Sequence, residues 1–335
     1  MYKPLYSFCT QTKNRDHYEH LNYDQVLLTP QYSQVTSRST IDTSIEFGWN
    51  TFQSPIILAN MKTVIDEKLG IRLAKKKYFY VMHRFNNDSV EFNKKMHKKW
   101  LISSISLWVN WDAHETIDTI KKNKDPHPHY ITIDIAHGHC KKMKDMIQYC
   151  KKQLPKSFII AGNVCTTQWV QDLEKRWCDA VKVWIWPGSV CTTRLKTWFS
   201  CPQFSAVLKC ANIATVPVIA DGWIQHNGDI AKAIAAGATM IMAWGIFAWY
   251  DESPWNVIYF REWEREVKYK EYFGSASEHN KKEKKNIEWR KTFIPLRGSL
   301  KEKLEEVQQD LQSSISYAGW ESIQSLKNIP RAIIH

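Results

Sequence analysis

The chain has 335 residues, 44% apolar and 24% charged, which fits one large globular domain or two ordinary ones. No apolar run reaches the roughly 18 residues of a membrane span, so no membrane partner is expected. Lys and Arg outnumber Asp and Glu by 46 to 34, giving a net charge of +12 that suits acidic small molecules or nucleic acid. The lysines are dispersed and the densest run, KKEKK at 281–285, is short, so a lysine-rich solvated surface is the plainer account and no nucleic-acid partner is expected.

In chain order, residues 1–20 are polar with no apolar signal core, which predicts a disordered extension on a cytoplasmic protein. Apolar, β-branched runs then recur at Pro55–Ala59, Phe79–His83, Ile102–Leu107, Tyr130–Ile135, Phe158–Ala161, Ala180–Val183, Pro217–Ala220 and Thr239–Ala243. Segments of helical character such as DEKLGIRLAKKK, KKMKDMIQYCKKQL, TTQWVQDLEKR and NGDIAKAIAAGA lie between them. Eight buried-type strands alternating with helices predict an α/β fold of the (β/α)8 TIM-barrel kind, with a doubly wound open sheet as the rival. Residues of about 251–298 read as a charged, strand-poor flap, followed by a helix and tail over about 299–335. The expected catalytic domain is therefore a single unit, 21–335.

Eight cysteines are scattered without a C-x-x-C pair, which argues for reduced thiols and against a disulfide framework or a zinc cluster. One of them differs in setting. Cys191 follows a predicted strand in PGSVCTT, a loop of glycine and hydroxyl residues whose backbone donors can stabilise a thiolate nucleophile. Polar or glycine residues also follow the other strands: Asn60-Met61, His83-Arg84, Asp134 with His137-Gly138, Gly162-Asn163, Asp221-Gly222 and Trp244-Gly245. In a barrel these ends converge on the face that carries the active site, and the last two strands commonly supply a phosphate cradle.

ANMKT at 59–63, ITIDIAHGH at 131–139, IIAGNV at 159–164, PGSVCTTRLKT at 187–197 and IADG at 219–222 resemble the family of IMP dehydrogenase and GMP reductase. The likeness runs from about Asn22 to the C-terminus. MHRFN at 82–86, EYFGSASE at 271–278 and QQDLQSSISYAG at 308–319 resemble its bacterial GMP reductase branch. The large regulatory insert usual in IMP dehydrogenases after the second strand is absent.

The resemblance implies a homotetrameric enzyme that converts GMP to IMP with NADPH and releases ammonia through a covalent thioimidate on Cys191. It implies that Thr193 and Glu288 bring the proton to the departing amine. Met61, Ser189, Asp221, Gly222, Trp223, Trp244 and Gly245 would hold the nucleotide, and Arg84, Asp134, His137, Gly138, Gly162 and Asn163 the cofactor. A potassium ion would sit on loop carbonyls near Trp186, Gly188 and Cys191. Read without the family, Glu288 is a solvated flap charge, Asp221 a structural cap, His137 a satisfied core residue and Met61 a core methionine. IMP dehydrogenase itself, with NAD, and a catalytically dead nucleotide-binding barrel are the alternatives.

Tryptophan is anomalous. There are 16 Trp and only 12 Gly, and merging the two gives an ordinary glycine share of roughly 8% against the usual ~7%. Where the family has glycine, this chain has Trp100, Trp108, Trp177, Trp184, Trp186, Trp198, Trp223, Trp244, Trp249, Trp255, Trp289 and Trp320. Drift does not replace the smallest residue by the largest so selectively. A gene in which UGA encodes glycine, read with a table in which it encodes tryptophan, gives this pattern.

Overall fold

The structure is a computed structural model and describes residues 6–7, 20–85, 87–184, 196–254, 257–262, 265–272 and 292–334. Seven parallel strands form one curled sheet in the order Ile56–Leu58, Met240–Ala243, Val218–Asp221, Ala180–Val183, Phe158–Val164, Tyr130–Asp134 and Ser104–Leu107. The eighth expected strand is residues 79–83. It closes the gap between the sheet's two edges through a parallel bridge of Tyr80 to Leu58 and a 3.2 Å hydrogen bond from Met82 N to Ser104 O. Ser106 Oγ donates to Met82 O at 2.6 Å on the same side. The result is the α/β TIM-barrel fold.

The strands read as continuous apolar runs because both faces are buried, one by the barrel interior and one by the helices. Tyr130–Asp134 has only its last residue part-exposed, and Phe158–Val164 is buried throughout. Each helix presents one apolar stripe to the sheet: Leu69 and Leu73 in Glu67–Lys75, Ile117 and Ile120 in Trp111–Lys122, Met143, Met146, Ile147 and Cys150 in Lys141–Gln153. Capping side chains start several of them. Asp66 Oδ1 accepts from Leu69 N at 2.8 Å, and Asp88 Oδ1 accepts from Val90 N and Glu91 N at 3.0 Å.

The two ends of the barrel differ in chemistry. A hairpin of Ile45–Phe47 and Asn50–Phe52 plugs the N-terminal end. Phe47 stacks on Tyr130 at 5.9 Å, Phe79 meets Phe52, Phe47 and Tyr130 edge-on at 4.8–5.2 Å, and Tyr130 Oη donates to Phe47 O at 2.6 Å. This aromatic plug is buried. The C-terminal end carries a charged cluster.

The stretch expected to be a strand-poor flap contains a three-stranded antiparallel sheet, Val257–Glu262, Arg265–Tyr272 and Thr292–Pro295. Its strands, VIYFRE, REVKYKEY and TFIP, mix β-prone aromatic and branched residues with charged ones, and the charge content of the stretch masks that signal. The helix Leu300–Tyr317 follows and packs on Gly228–Ala235. The tail strand Arg331–Ile334 then pairs with Val26–Leu28 on one side and Tyr6–Ser7 on the other. Residues 1–5 and 8–19 of the expected disordered extension lie outside the described residues.

Candidate active site

Asp134 and Asp221 are the last residues of their strands, so both carboxylates stand at the C-terminal rim. Lys182 and Asn163 are each one residue short of their strand ends. The Lys182 side chain, 2% exposed, reaches the same place. Its Nζ lies 3.0 Å from Asp134 Oδ1 and 2.5 Å from Asp221 Oδ2, and it donates to Asn163 Oδ1. Asn60 Nδ2 donates to the other Asp134 oxygen at 3.0 Å. Gln203 Nε2 donates to Asp221 O at 2.8 Å and Val183 O at 2.9 Å, tying the start of helix Gln203–Ile213 to the rim.

Charge and burial compete here. Burial disfavours the Asp134 carboxylate, but Lys182, Asn60 and Arg84 together outweigh it and hold its pKa below the usual range. For Asp221 burial wins, Lys182 opposes it, and the pKa ends raised. Burial also works against the Lys182 ammonium, yet its two carboxylates push its pKa up to about 12. Lys182 is therefore charged throughout the physiological range.

Two glycines make the rim possible. A Cβ on Gly162 would stand 2.7 Å from Lys182 Cβ, so the lysine can rise past the neighbouring strand only over a bare backbone. A Cβ on Gly138 would stand 2.5 Å from Asn163 O, to which Gly138 N donates at 2.8 Å. The turn after Val218–Asp221 places Gly222 at φ +82° and Trp223 at φ +61°. Gly222 N donates to Met242 O at 3.0 Å, so Gly222 contributes a turn and its own N–H stays in the sheet. A Cβ on Gly245 would meet nothing nearer than Ile224 O at 3.9 Å, leaving backbone open at the end of Met240–Ala243.

The remaining sequence-predicted residues flank this cluster. Arg84 lies between the rings of Phe85 (4.3 Å) and Trp108 (4.8 Å), and burial lowers its pKa against the pull of Asp134. His137 is exposed, with its ring edge-on to Trp169 at 4.7 Å; it is not a core histidine. Met61 is buried within the main core cluster. Trp223 and Trp244 are part-exposed on the turns after the last two strands. Cys191, Thr193, Ser189, Gly188, Trp186 and Glu288 lie outside the described residues.

Sequence reasoning missed Lys182. Its signal was a lysine in the middle of AVKV, a buried strand where an unpaired ammonium is prohibitive. Asn60 and Gln203 were missed as well; neither stands in an unusual sequence context.

Residues 20–334 match the IMP dehydrogenase / GMP reductase domain. The chain belongs to that family. It is 47% identical over 318 residues to a protein named GMP reductase from Acidovorax ebreus, covering 94% of this chain and 96% of that one. It is 47% identical over 317 residues to one so named from Bacillus licheniformis, covering 93% and 95%. A third, from Streptococcus pyogenes, is 46% identical over 316 residues, covering 93% and 94%. Among the described residues no helix is long and apolar enough to cross a membrane, and no group of three or more His, Cys, Asp or Glu side chains is placed to hold a metal ion.

Proposed function

We propose that this chain is a GMP reductase that converts GMP to IMP with NADPH and releases ammonia. The observation that carries the reading is near-full-length similarity to proteins of that name, in a chain that keeps PGSVCTT after the strand holding Lys182. The Asp134–Lys182–Asp221 cluster supports it, because two carboxylates on one ammonium give the rim hydrogen-bond acceptors of the kind a nucleotide's hydroxyls need.

The residues fit NADPH. Arg84 offers a cation against the Phe85 ring, Trp169 a flat surface beside exposed His137, and Gly138 and Asn163 a close backbone edge. When bound, that cofactor supplies hydride to C2 of the purine. The Cys191 thiolate adds to C2 of GMP and forms the C–S bond. The exocyclic amine takes a proton delivered through Thr193 and Glu288 and leaves as ammonia. The C–S bond finally breaks, its electron pair returns to sulfur, and IMP departs. A soft thiolate attacks at neutral pH and also leaves readily, which both halves of this cycle require. Asp221 accepts from the ribose hydroxyls, the turns after the last two strands embrace the phosphate, and Met61 packs under the base.

The reading includes a cytoplasmic homotetramer built on a single barrel domain, resting on the family resemblance and checked by light scattering. IMP dehydrogenase is disfavoured because EYFGSASE supplies no Arg-Tyr pair to activate water. Incubation of the protein carrying glycine at the family's glycine positions with GMP and NADPH is expected to consume the reduced cofactor and release equimolar ammonia, while IMP with NAD gives no xanthine nucleotide. The chain with tryptophan at those positions is expected to bind GMP poorly, because Trp223 and Trp244 crowd the turns meant for the phosphate. Cys191→Ala is expected to slow turnover by roughly 10^3-fold or more; equal rates would sink the reading.

A further inference from the structure

We propose that Lys182 is a positioning residue whose buried side chain holds the nucleotide-side Asp221 and the cofactor-side Asp134 in their working orientations. The inference rests on the functional reading above and adds a residue to it. An ammonium taken out of water loses several kcal/mol of solvation, so a lysine 2% exposed in a barrel strand needs compensation. Lys182 has it from three strands at once: Asp134 at 3.0 Å, Asp221 at 2.5 Å and Asn163 Oδ1. Gly162 supplies the room, since a side chain there would collide with Lys182 Cβ. Neither carboxylate has a second ion-pair partner within 4 Å among the described residues.

Remove the ammonium, and two carboxylates share a pocket with one cation fewer. Like charges so placed cannot both stay ionised at neutral pH. Asp221, whose pKa burial already raises, would take the proton, and a protonated acid is a poor acceptor for ribose hydroxyls. The charged and titratable groups facing the cluster are Asp134, Asp221, Arg84 and, on the Asp221 side, Tyr23. Asn60 and Asn163 are neutral.

The test uses the full chain carrying Lys182→Met, Lys182→Arg, Asp134→Asn, or Lys182→Met with Asp134→Asn. GMP affinity is measured by calorimetry across pH, and the Asp221 carboxyl is followed by NMR without ligand. Lys182→Met is expected to weaken GMP binding about 10–100-fold at neutral pH and to move its acid limb up by about 1–3 pH units. Lys182→Arg, which keeps the charge, is expected to return the limb towards its parental position. If Lys182→Met does not fold, the double variant, which keeps the local net charge, is compared with Asp134→Asn alone and is expected to show the same upward shift. An Asp221 titration that stays in place overturns the proposal, even if the variant melts at lower temperature. A moved titration in a parent chain that binds no GMP sinks the functional reading and leaves the charge role of Lys182 standing.

Discussion

Trp100 follows helix Ser89–Lys98 at φ +56°, with Trp100 N bonded to His97 O and Leu101 N to Met96 O, both at 3.0 Å. The same pair of bonds closes helix Gly228–Ala235, where Gly237 occupies the left-handed position at φ +101°. This helix stop favours glycine because a Cβ is strained there. Among the described residues, five of the seven non-glycine residues at positive φ are tryptophans: Trp100, Trp177, Trp198, Trp223 and Trp249. Backbone geometry thus agrees with the composition in marking these as glycine positions. Trp100 is 97% exposed, so its ring contributes no packing. Trp100→Gly is therefore expected to stabilise the chain by about 1 kcal/mol in urea unfolding. Trp169→Gly, inside helix Thr167–Glu174 with the ring against His137 and His139, is expected to destabilise it by a similar amount. Peptide masses from the source cells are expected to carry glycine at these five sites; UGG codons there would end the explanation. Among the described thiols, Cys201 is set apart: a hydrogen bond with Cys165 lowers its pKa. Burial pushes Cys150, Cys178 and Cys210 up to about 12. Brief alkylation at neutral pH is expected to mark Cys201 well before those three.

At the scale of elements, polar side chains fix where helices begin and how their ends meet the barrel. Asp88 caps two N–H groups of Ser89–Lys98, and Asp88→Ala is expected to cost about 1 kcal/mol in denaturant unfolding. Three histidines sit together near that helix. His97 stacks on His129 at 4.7 Å, its Nε2 contacts His127 O at 3.0 Å, and His129 Nδ1 accepts from Ser103 N at 3.0 Å. Burial lowers the pKa of all three, helped by Lys156 at His127 and by His97 at His129. A histidine depressed in the folded state takes up its proton more readily in the unfolded chain. The stability these residues contribute is then complete above the unfolded pKa of about 6.5 and falls as pH drops below it. The melting temperature is expected to decline between pH 7 and 5, and His129→Gln, which keeps a neutral acceptor, is expected to flatten that decline.

For the whole molecule, the division of labour runs along the barrel axis. One end is sealed by Phe47, Phe52, Phe79, Tyr130 and Phe158, and the other carries Asp134, Asn163, Lys182 and Asp221. Stability and chemistry are thereby separated, as parallel barrels allow. Tyr130→Phe, which strands Phe47 O and Asn50 without their partner hydroxyl, is expected to cost about 1–3 kcal/mol with little change in turnover. Asp221→Asn is expected to raise the KM for GMP about 10–100-fold at nearly parental melting temperature.

The sequence by itself determined the strand positions, the order of strands and helices, and the motif residues, because these depend on local periodicity and on short contiguous segments. Phe158–Ala161 or Ala180–Val183 could be read from apolar runs alone. The flap strands could not, since their charged residues and the charged stretch between them hid the β-prone ones. Only the tertiary structure decided that Lys182, Asn163, Asn60, Asp134 and Asp221 form one network, with partners up to 74 positions apart. A lone lysine in a strand carries no record of its counter-ions. Folding supplies them by curling five separate chain segments onto a single rim, where a charge that water no longer solvates must be met by its neighbours.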